Sequence, residues 1–223
     1  MKAILFSLLA GTVLLASCAK DNYEPPKSTL TGRVIYDNQP VGVRTNGVQL
    51  ELWQKGYQLF TKIPVIVSQE GTFSAALFDG DYKLVRLRGN GPWVDNTDTI
   101  NVSVRGAATI DVPVQPFFVI RNPSIQRSGT SLTGSLTVGQ VVTGRAIERV
   151  TMYVGTTQFV DVTNNVGSAN VATAALADLS KPLPLSLTLP AAVSSRPYFY
   201  ARIGVKTVGV AELIYSPVQK ITL

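Results

Sequence analysis

Residues 183–190 read LPLSLTLP, with leucine at every odd position from Leu183 to Leu189. Strict alternation places the four leucines on one face of an extended chain, because successive side chains of a β-strand point to opposite faces. Pro184 removes one backbone donor, which favours a strand at the edge of a sheet. The same period of two recurs along most of the chain, so this stretch predicts an all-β protein.

The first half of the chain contains seven segments with this alternation, separated by turns rich in Gly, Asn and Asp. In one of them Leu50 and Leu52 fall on one face, whereas Glu51 and Trp53 fall on the other. Such alternation is typical of antiparallel strands with one buried face. The segments predicted as strands are 29–36, 48–53, 63–68, 72–77, 81–88, 99–104 and 108–114.

A change of pattern near residue 115 divides the chain. Residues 116–123 read PFFVIRNP and interrupt the alternation, which predicts a short linker between two domains. Beyond it, only 169–179 could form a short helix. The strands predicted there are 131–138, 147–154, 158–162, 183–189, 198–205 and 215–223. We therefore predict two consecutive antiparallel β-sandwiches, one over 28–115 and the other over 116–223.

The N-terminal segment has the features of an export signal. Lys2 gives a positive start, and residues 3–16 form an apolar run too short to span a membrane comfortably. Residues 15–18 read LASC, which resembles the lipobox of bacterial lipoproteins. In that motif the cysteine is lipidated and becomes the first residue of the mature chain, and Cys18 is the single cysteine here.

The lipobox resemblance implies a signal peptide at 1–17, a lipid anchor on Cys18 and a tether at 18–27. The tether is polar and ends in Pro-Pro, which is typical of an extended linker rather than of a folded segment. The alternative is an ordinary secretory signal cut after a small residue such as Ala19, which would leave no lipid anchor.

Composition excludes several classes of function. The 223 residues contain no histidine and one cysteine, which removes the commonest general base, most imidazole metal sites and any intrachain disulfide. Asp95, Asn96 and Asp98 offer oxygen ligands for calcium as an alternative, but calcium takes six to eight oxygens and no EF-type spacing is present. We therefore expect no metal and no cofactor. The formal net charge is +6, but the basic residues are scattered rather than clustered with aromatics, so we expect no nucleic-acid partner.

Several motifs resemble those of known families. LTGRV at 30–34, GTF at 71–73 and GDY at 80–82 resemble the carboxypeptidase-regulatory-like, or transthyretin-like, sandwich. Residues 198–207 and YSP at 215–217 resemble a fibronectin- or Ig-like domain. Together they resemble an uncharacterised family of two-domain outer-membrane lipoproteins from Bacteroidota glycan-uptake loci.

That resemblance implies a chain anchored in the outer membrane and facing the cell surface. It also implies an accessory role beside a TonB-dependent transporter and its starch-utilisation-type binding lipoprotein. On this basis we expect a non-catalytic protein of glycan capture that binds a polysaccharide. The alternative is a structural or docking lipoprotein of the transporter complex without a sugar site. A hydrolase with two carboxylates in one cleft is a further alternative.

Aromatic residues in loops are the predicted sugar-binding groups, because pyranose faces stack on rings while polar side chains fix the hydroxyls. Trp93 lies in a Gly-, Asn- and Pro-containing loop beside Asp95, Asn96 and Asp98, which predicts a stacking surface with hydrogen-bonding neighbours. The alternative is that Trp93 folds back to close the core of the first domain.

Trp53 and Tyr57 form a second predicted group. The parity of its strand places Trp53 on the face away from the core, near Tyr57 and Phe60. This position suits a ligand-binding role or a cover over the interdomain joint. Tyr198 and Tyr200 share one strand face opposite Phe199, an arrangement that ordinary sandwich packing explains.

Overall fold

The computed structural model describes residues 24–56 and 60–222. The predicted signal peptide, Cys18 and Tyr57 lie outside these residues, as does the first part of the predicted tether. Within the described ranges, no helix is long and apolar enough to cross a membrane.

Eight strands form the first sandwich. One sheet has the order β4-β3-β6-β7, and the other is built around β1, with β2 and β5 along one edge and β8 along the other. The β1–β8 pair is parallel, whereas the other pairs are antiparallel. The strands are β1 (Ser28–Tyr36), β2 (Gln39–Pro40), β3 (Gln49–Gln54), β4 (Lys62–Ile66), β5 (Thr72–Leu77), β6 (Gly80–Arg86), β7 (Ile100–Val104) and β8 (Ala107–Pro113).

The core of the first sandwich follows from the alternation in its strands. Leu30 and Val34 on β1 are fully buried, as are Leu50 and Leu52 on β3. The residues between Leu30 and Val34 are alternately exposed and buried. Burying each such aliphatic side chain contributes about 1.5–3 kcal/mol relative to leaving it in water. The predicted strands of this half are therefore confirmed to within a few residues at their ends.

Eight further strands form the second sandwich. Its sheets have the orders β13-β10-β9 and β12-β11-β14, the latter extended by β15 and β16, which both pair with β14. The strands are β9 (Phe118–Ser128), β10 (Ser131–Gln140), β11 (Ile147–Gly155), β12 (Gly167–Asn170), β13 (Leu183–Thr188), β14 (Tyr198–Thr207), β15 (Ile214–Tyr215) and β16 (Gln219–Thr222). The chain is thus an all-β protein of two sandwiches, and β13 with Pro184 lies at a sheet edge, as predicted.

Three local predictions were wrong. The predicted linker at 116–123 is mostly strand β9, whose alternation is broken by a bulge and by the positive φ of Asn122. Residues 158–162 form a loop, in which the Asp161 carboxylate accepts hydrogen bonds from the residues that follow it. The predicted helix at 169–179 is the end of β12 followed by a 3-10 helix at Thr173–Ala177. One helical turn, α1 (Ala191–Ser194), was not predicted.

The two sandwiches are joined through Arg202 on β14. Its side chain is 1% exposed, and it donates hydrogen bonds to the backbone carbonyls of Val43 and Gln69 in the first sandwich and of Ser216 in the second. Its guanidinium also lies 4.3 Å from the centre of the Tyr215 ring. Burial lowers the pKa of Arg202 to about 10, so the group stays charged at neutral pH.

Two further contacts close this interface. Gly42 and Tyr215 form an isolated antiparallel bridge, and a Cβ on Gly42 would lie only 2.4 Å from the Tyr215 carbonyl oxygen. Nearby, Arg44 and Glu212 form an ion pair at 2.6 Å. Only glycine allows the two backbones to approach this closely, so the bridge fixes the relative position of the sandwiches.

Four exposed aspartates give stability an acid dependence. Hydrogen bonds lower the pKa of each in the folded chain, with the Ser28 hydroxyl the main cause for Asp79 and the Arg33 guanidinium the main cause for Asp111. The four are Asp79, Asp81, Asp111 and Asp178. Because the folded pKa lies below the unfolded value of about 3.9, their contribution is complete above that pH and is lost as pH falls through the folded pKa.

We therefore expect the thermal midpoint to be nearly constant from about pH 5 to 7 and to decrease below about pH 4. Scanning calorimetry across this range measures it. The variant Asp79→Asn should lower the midpoint near neutral pH more than near about pH 2.5, where the wild-type carboxylate is also losing its charge. An equal effect at both pH values would show that ionisation of Asp79 is not the cause.

Candidate functional site

The structure buries the predicted stacking residue. Trp93 is 5% exposed and belongs to the hydrophobic core, and its backbone forms a bridge with Pro116 at the junction of the two sandwiches. Its indole packs directly over Gly91, where a Cβ would lie 2.2 Å from the ring. The prediction of an open stacking surface at Trp93 is therefore wrong, and the alternative that Trp93 closes the core is correct.

The polar neighbours of Trp93 shape their own loop. The Asp95 carboxylate accepts a hydrogen bond from the Gly89 backbone at 2.7 Å, and the Asn96 side chain accepts one from the Asp98 backbone at 2.7 Å. All three predicted residues, Asp95, Asn96 and Asp98, remain exposed. Without an accessible indole beside them, they do not form the predicted sugar site.

The second predicted group is partly preserved. Trp53 is half-buried, its indole N–H donates to the Glu51 carboxylate at 3.2 Å, and its ring centre lies 5.1 Å from that of Phe60. These contacts all lie within the first sandwich, away from the interdomain bridge. Tyr57, the other predicted member, is outside the described residues.

A cleft between the two sandwiches has the properties expected of a ligand site. Its volume is about 460 Å³, and residues of both sandwiches line it. Domain interfaces are preferred positions for small-molecule sites, which combine aromatic surface with a few polar groups. The side chains that give the cleft its chemistry are Gln39, Gln69, Glu70, Gln158, Tyr200 and Lys220.

The second sandwich supplies the aromatic wall. Tyr198 and Tyr200 lie on the outer face of β14, because the intervening Phe199 points into the core and is fully buried. The two tyrosine rings are 5.8 Å apart and nearly perpendicular, and the Lys220 ammonium lies 3.9 Å from the Tyr198 ring centre. Each ring is held in place by a neighbour, so Tyr200 presents an ordered aromatic surface to the cleft.

The first sandwich supplies the facing polar groups. Asp37 and Asn38, both with positive φ, make the tight turn between β1 and β2 that presents Gln39. Glu70 lies in the turn before β5. Gln158, from the loop after β11 in the second sandwich, adds a third hydrogen-bonding side chain, and all three are exposed.

The floor of the cleft is rigid. Gln69 is buried, and its side-chain oxygen accepts a hydrogen bond from Arg202 at 3.5 Å. Tyr215 is buried beside it, its pKa is raised by burial, and its hydroxyl accepts a hydrogen bond from the Val162 backbone at 3.2 Å. The contacts that join the domains therefore also form the base of the site.

The charges in the cleft are limited to one of each sign. Among the described lining residues, Glu70 is the one carboxylate and Lys220 the one cation. No group of three or more Asp, Glu, Cys or His side chains that could hold a metal occurs in the part of the chain that the structure describes. The arrangement suits hydrogen bonding to a polar, largely uncharged molecule with an apolar face.

The sequence assigned the correct faces to Tyr198 and Tyr200 but did not show that Tyr200 lines a cleft. Alternation shows that both leave the core, yet only the fold shows that the first sandwich covers this face and leaves a cleft there. Glu70 and Gln158 come from turns far apart in the sequence, and no local pattern marks them.

The fold and this cleft define a class: an all-β protein of two sandwiches with an aromatic and polar cleft at their interface. The chain belongs to the DUF3823 family. Residues 28–115 match the domain described as "Protein of unknown function (DUF3823) N-terminal domain", and residues 118–220 match the "Domain of unknown function (DUF3823_C)". The predicted membership of an uncharacterised two-domain family is thereby confirmed.

Solved structures of similar proteins share the architecture. A DUF3823 family protein from Bacteroides ovatus is 38% identical, with a TM-score of 0.82 over 88% of this chain and all of that one. One from Parabacteroides merdae is 34% identical, with a TM-score of 0.81 over 89% of this chain and all of that one. A candidate carbohydrate-binding protein from Bacteroides uniformis has the same fold at 17% identity, with a TM-score of 0.72 over 89% of this chain and all of that one. No curated protein matches the sequence.

Proposed function

We propose that the chain is a non-catalytic carbohydrate-binding protein whose sugar site is the interdomain cleft. The observation that carries the proposal is the position of Tyr200, an ordered ring on one wall of a cleft whose other lining side chains include Gln39, Glu70 and Gln158. A pyranose offers an apolar C–H face and a ring of hydroxyls. The apolar C–H face would stack on Tyr200, and the hydroxyls would form hydrogen bonds with the amide and carboxylate groups.

The single carboxylate supports binding rather than hydrolysis. Glycosidases use a pair of carboxyl groups on either side of the scissile bond, about 5–10 Å apart. Glu70 has no second described acid beside it among the residues that line the cleft. The two-carboxylate hydrolase is therefore the weaker alternative for this site.

The candidate carbohydrate-binding protein from Bacteroides uniformis supports the same ligand class, because its whole length shares this fold. We further propose that a lipid on Cys18 anchors the chain in the outer membrane, facing the cell surface. There it would assist glycan capture beside a TonB-dependent transporter and its starch-utilisation-type binding lipoprotein. This setting rests on the LASC motif and on the resemblance described from the sequence.

Calorimetric titration of residues 19–223 against a panel of neutral plant, host and microbial oligosaccharides tests the ligand class. We expect saturable binding that Tyr200→Ala weakens about 30-fold, corresponding to about 2 kcal/mol for a central aromatic contact. The matched control is Phe78→Ala, which removes an exposed ring from the first sandwich outside the cleft and should leave affinity unchanged.

Two outcomes would contradict the proposal. Equal losses in Tyr200→Ala and Phe78→Ala would mean that the cleft is not the site. Absence of binding across the panel by folded protein would favour the alternative, a structural or docking lipoprotein of the transporter complex. Recovery of the chain with outer-membrane proteins after crosslinking would then test that role.

A further inference from the structure

A row of side chains crosses the outer face of the sheet β4-β3-β6-β7. The strand register places Lys62 opposite Trp53, Trp53 opposite Lys83, and Lys83 opposite Asn101. Directly opposite residues on one face have Cβ atoms about 5 Å apart, so the row spans roughly 14 Å across four strands. We call these four residues, with Phe60, the sheet-face row.

Trp53 in the sheet-face row is held in a fixed orientation by a buried acid. Glu51 is 5% exposed, although it lies on the outer face of β3. One of its oxygens accepts the Trp53 indole N–H at 3.2 Å, and the other contacts the Lys62 ammonium at 2.7 Å. A carboxylate buried in this way is costly unless it is paired, and both of its partners belong to the row.

The outer surface of the row remains open. Phe60 is 55% exposed and tilts by 42° against Trp53, so the two rings form a bent apolar surface in contact with solvent. Single exposed rings are common on proteins, but in this pair the Trp53 indole is held by Glu51 and Phe60 packs against it. Such order reduces the conformational entropy that is lost when a ligand stacks on the rings.

The polar groups beside the rings carry an uncompensated positive charge. Within the described residues, the Lys83 ammonium has no ion pair and no hydrogen bond, and the Asn101 amide is exposed and similarly without a hydrogen bond. Lys62 already neutralises Glu51. The row therefore has net positive charge at the strand next to Trp53, and an anionic group on a bound molecule would be the complement of Lys83.

We propose that the sheet-face row is a second carbohydrate site, separate from the interdomain cleft, and that it selects acidic polysaccharides. A sugar ring stacks on Trp53 and Phe60 while its carboxylate or sulfate group contacts Lys83 and its hydroxyls contact Asn101. The site uses residues of the first sandwich alone. Its existence does not depend on the function proposed for the cleft.

Affinity electrophoresis and calorimetry of residues 19–223 test the site with three probes: polygalacturonate, dextran sulfate and neutral dextran. We expect binding of at least one acidic probe that weakens as salt is raised from about 0.05 to 0.3 M, because exposed charges are screened. Trp53→Ala should weaken this binding about 30-fold, as expected for a central aromatic contact. Comparing polygalacturonate with dextran sulfate distinguishes carboxylate from sulfate recognition.

Two further variants separate stacking from charge. Phe60→Ala removes a mostly exposed ring and should weaken acidic-probe binding without changing the thermal midpoint, which guards against a Trp53 variant that fails to fold. Lys83→Gln should weaken binding of the acidic probes about threefold to fivefold and reduce its salt dependence, as expected for one exposed charge contact. The matched control Lys181→Gln removes the same charge from the second sandwich and should have no effect.

The cleft variant makes the two proposals separable. Tyr200→Ala should leave acidic-probe binding unchanged. The sheet-face site is contradicted if folded wild-type protein binds neither acidic probe, or if binding persists in both Trp53→Ala and Phe60→Ala. It is also contradicted if Lys181→Gln and Lys83→Gln have equal effects. None of these results would alter a Tyr200-dependent affinity for neutral oligosaccharides.

Discussion

Replacing Arg202 by alanine should lower the free energy of unfolding by about 3–5 kcal/mol and should loosen the two sandwiches from each other. The guanidinium donates to carbonyls of Val43, Gln69 and Ser216, and it packs on the Tyr215 ring. Removing it leaves the buried carbonyls of Val43 and Ser216 without a donor among the described residues, whereas the Gln69 carbonyl keeps the Val43 backbone N–H at 3.3 Å. Each unsatisfied buried acceptor costs about 1–3 kcal/mol.

Urea unfolding gives the stability change for Arg202→Ala, and limited proteolysis near residues 114–117 reports on loosening of the domains. Arg202→Lys should be only a partial rescue, because one ammonium cannot span the carbonyls that the planar guanidinium reaches. The matched control is Arg33→Ala, which removes an arginine from an exposed ion pair with Asp111 and should change stability little. A comparable loss in both alanine variants would show that Arg202 does not join the domains.

Replacing Trp93 by alanine should also lower the free energy of unfolding by about 3–5 kcal/mol, as for other large buried aromatic side chains. The indole is almost fully buried and fills the space over Gly91, at a backbone bridge with Pro116. Truncation leaves a cavity that rigid strands on either side can fill only in part. Trp93→Phe should recover much of the loss.

Denaturant unfolding of Trp93→Ala and Trp53→Ala distinguishes a core residue from a surface residue. Trp53 is half-buried, so its truncation should cost less than that of Trp93. The folded fraction of Trp93→Ala should retain the affinity of the cleft for oligosaccharides, since Trp93 does not line the cleft. If Trp93→Ala is stable but no longer binds oligosaccharides, the loop at Trp93 would be the sugar site.

Alternation was sufficient to predict most of the fold. The alternating apolar residues at Leu183 to Leu189 and along β3 predicted strands that the structure contains. A half-buried strand needs an apolar residue at every second position. β9 was missed because a bulge and the positive φ of Asn122 shift the alternation partway along the strand. β12 contains only Gly, Ser, Ala and Asn, so it carries no apolar pattern at all.

The site was much harder to predict than the fold. Parity indicated correctly that Trp53 and Tyr200 leave the core, but parity does not reveal what covers the outer face of a sheet. The cleft exists because the contacts of Arg202 and Gly42 bring the turn at Glu70 close to β14. Glu70 and β14 are more than 100 residues apart in the sequence. Trp93 was misplaced because a loop sequence rich in Gly and Pro is compatible with either an exposed ring or a buried one.

A crystal structure of residues 19–223 with the oligosaccharide bound most tightly in calorimetry tests the central claim most directly. We predict a sugar ring stacked on Tyr200, with its hydroxyls within hydrogen-bond distance of Glu70 and of Gln39 or Gln158. A neutral sugar bound elsewhere, with the cleft free of ligand, would contradict the assignment of the interdomain cleft as the carbohydrate site.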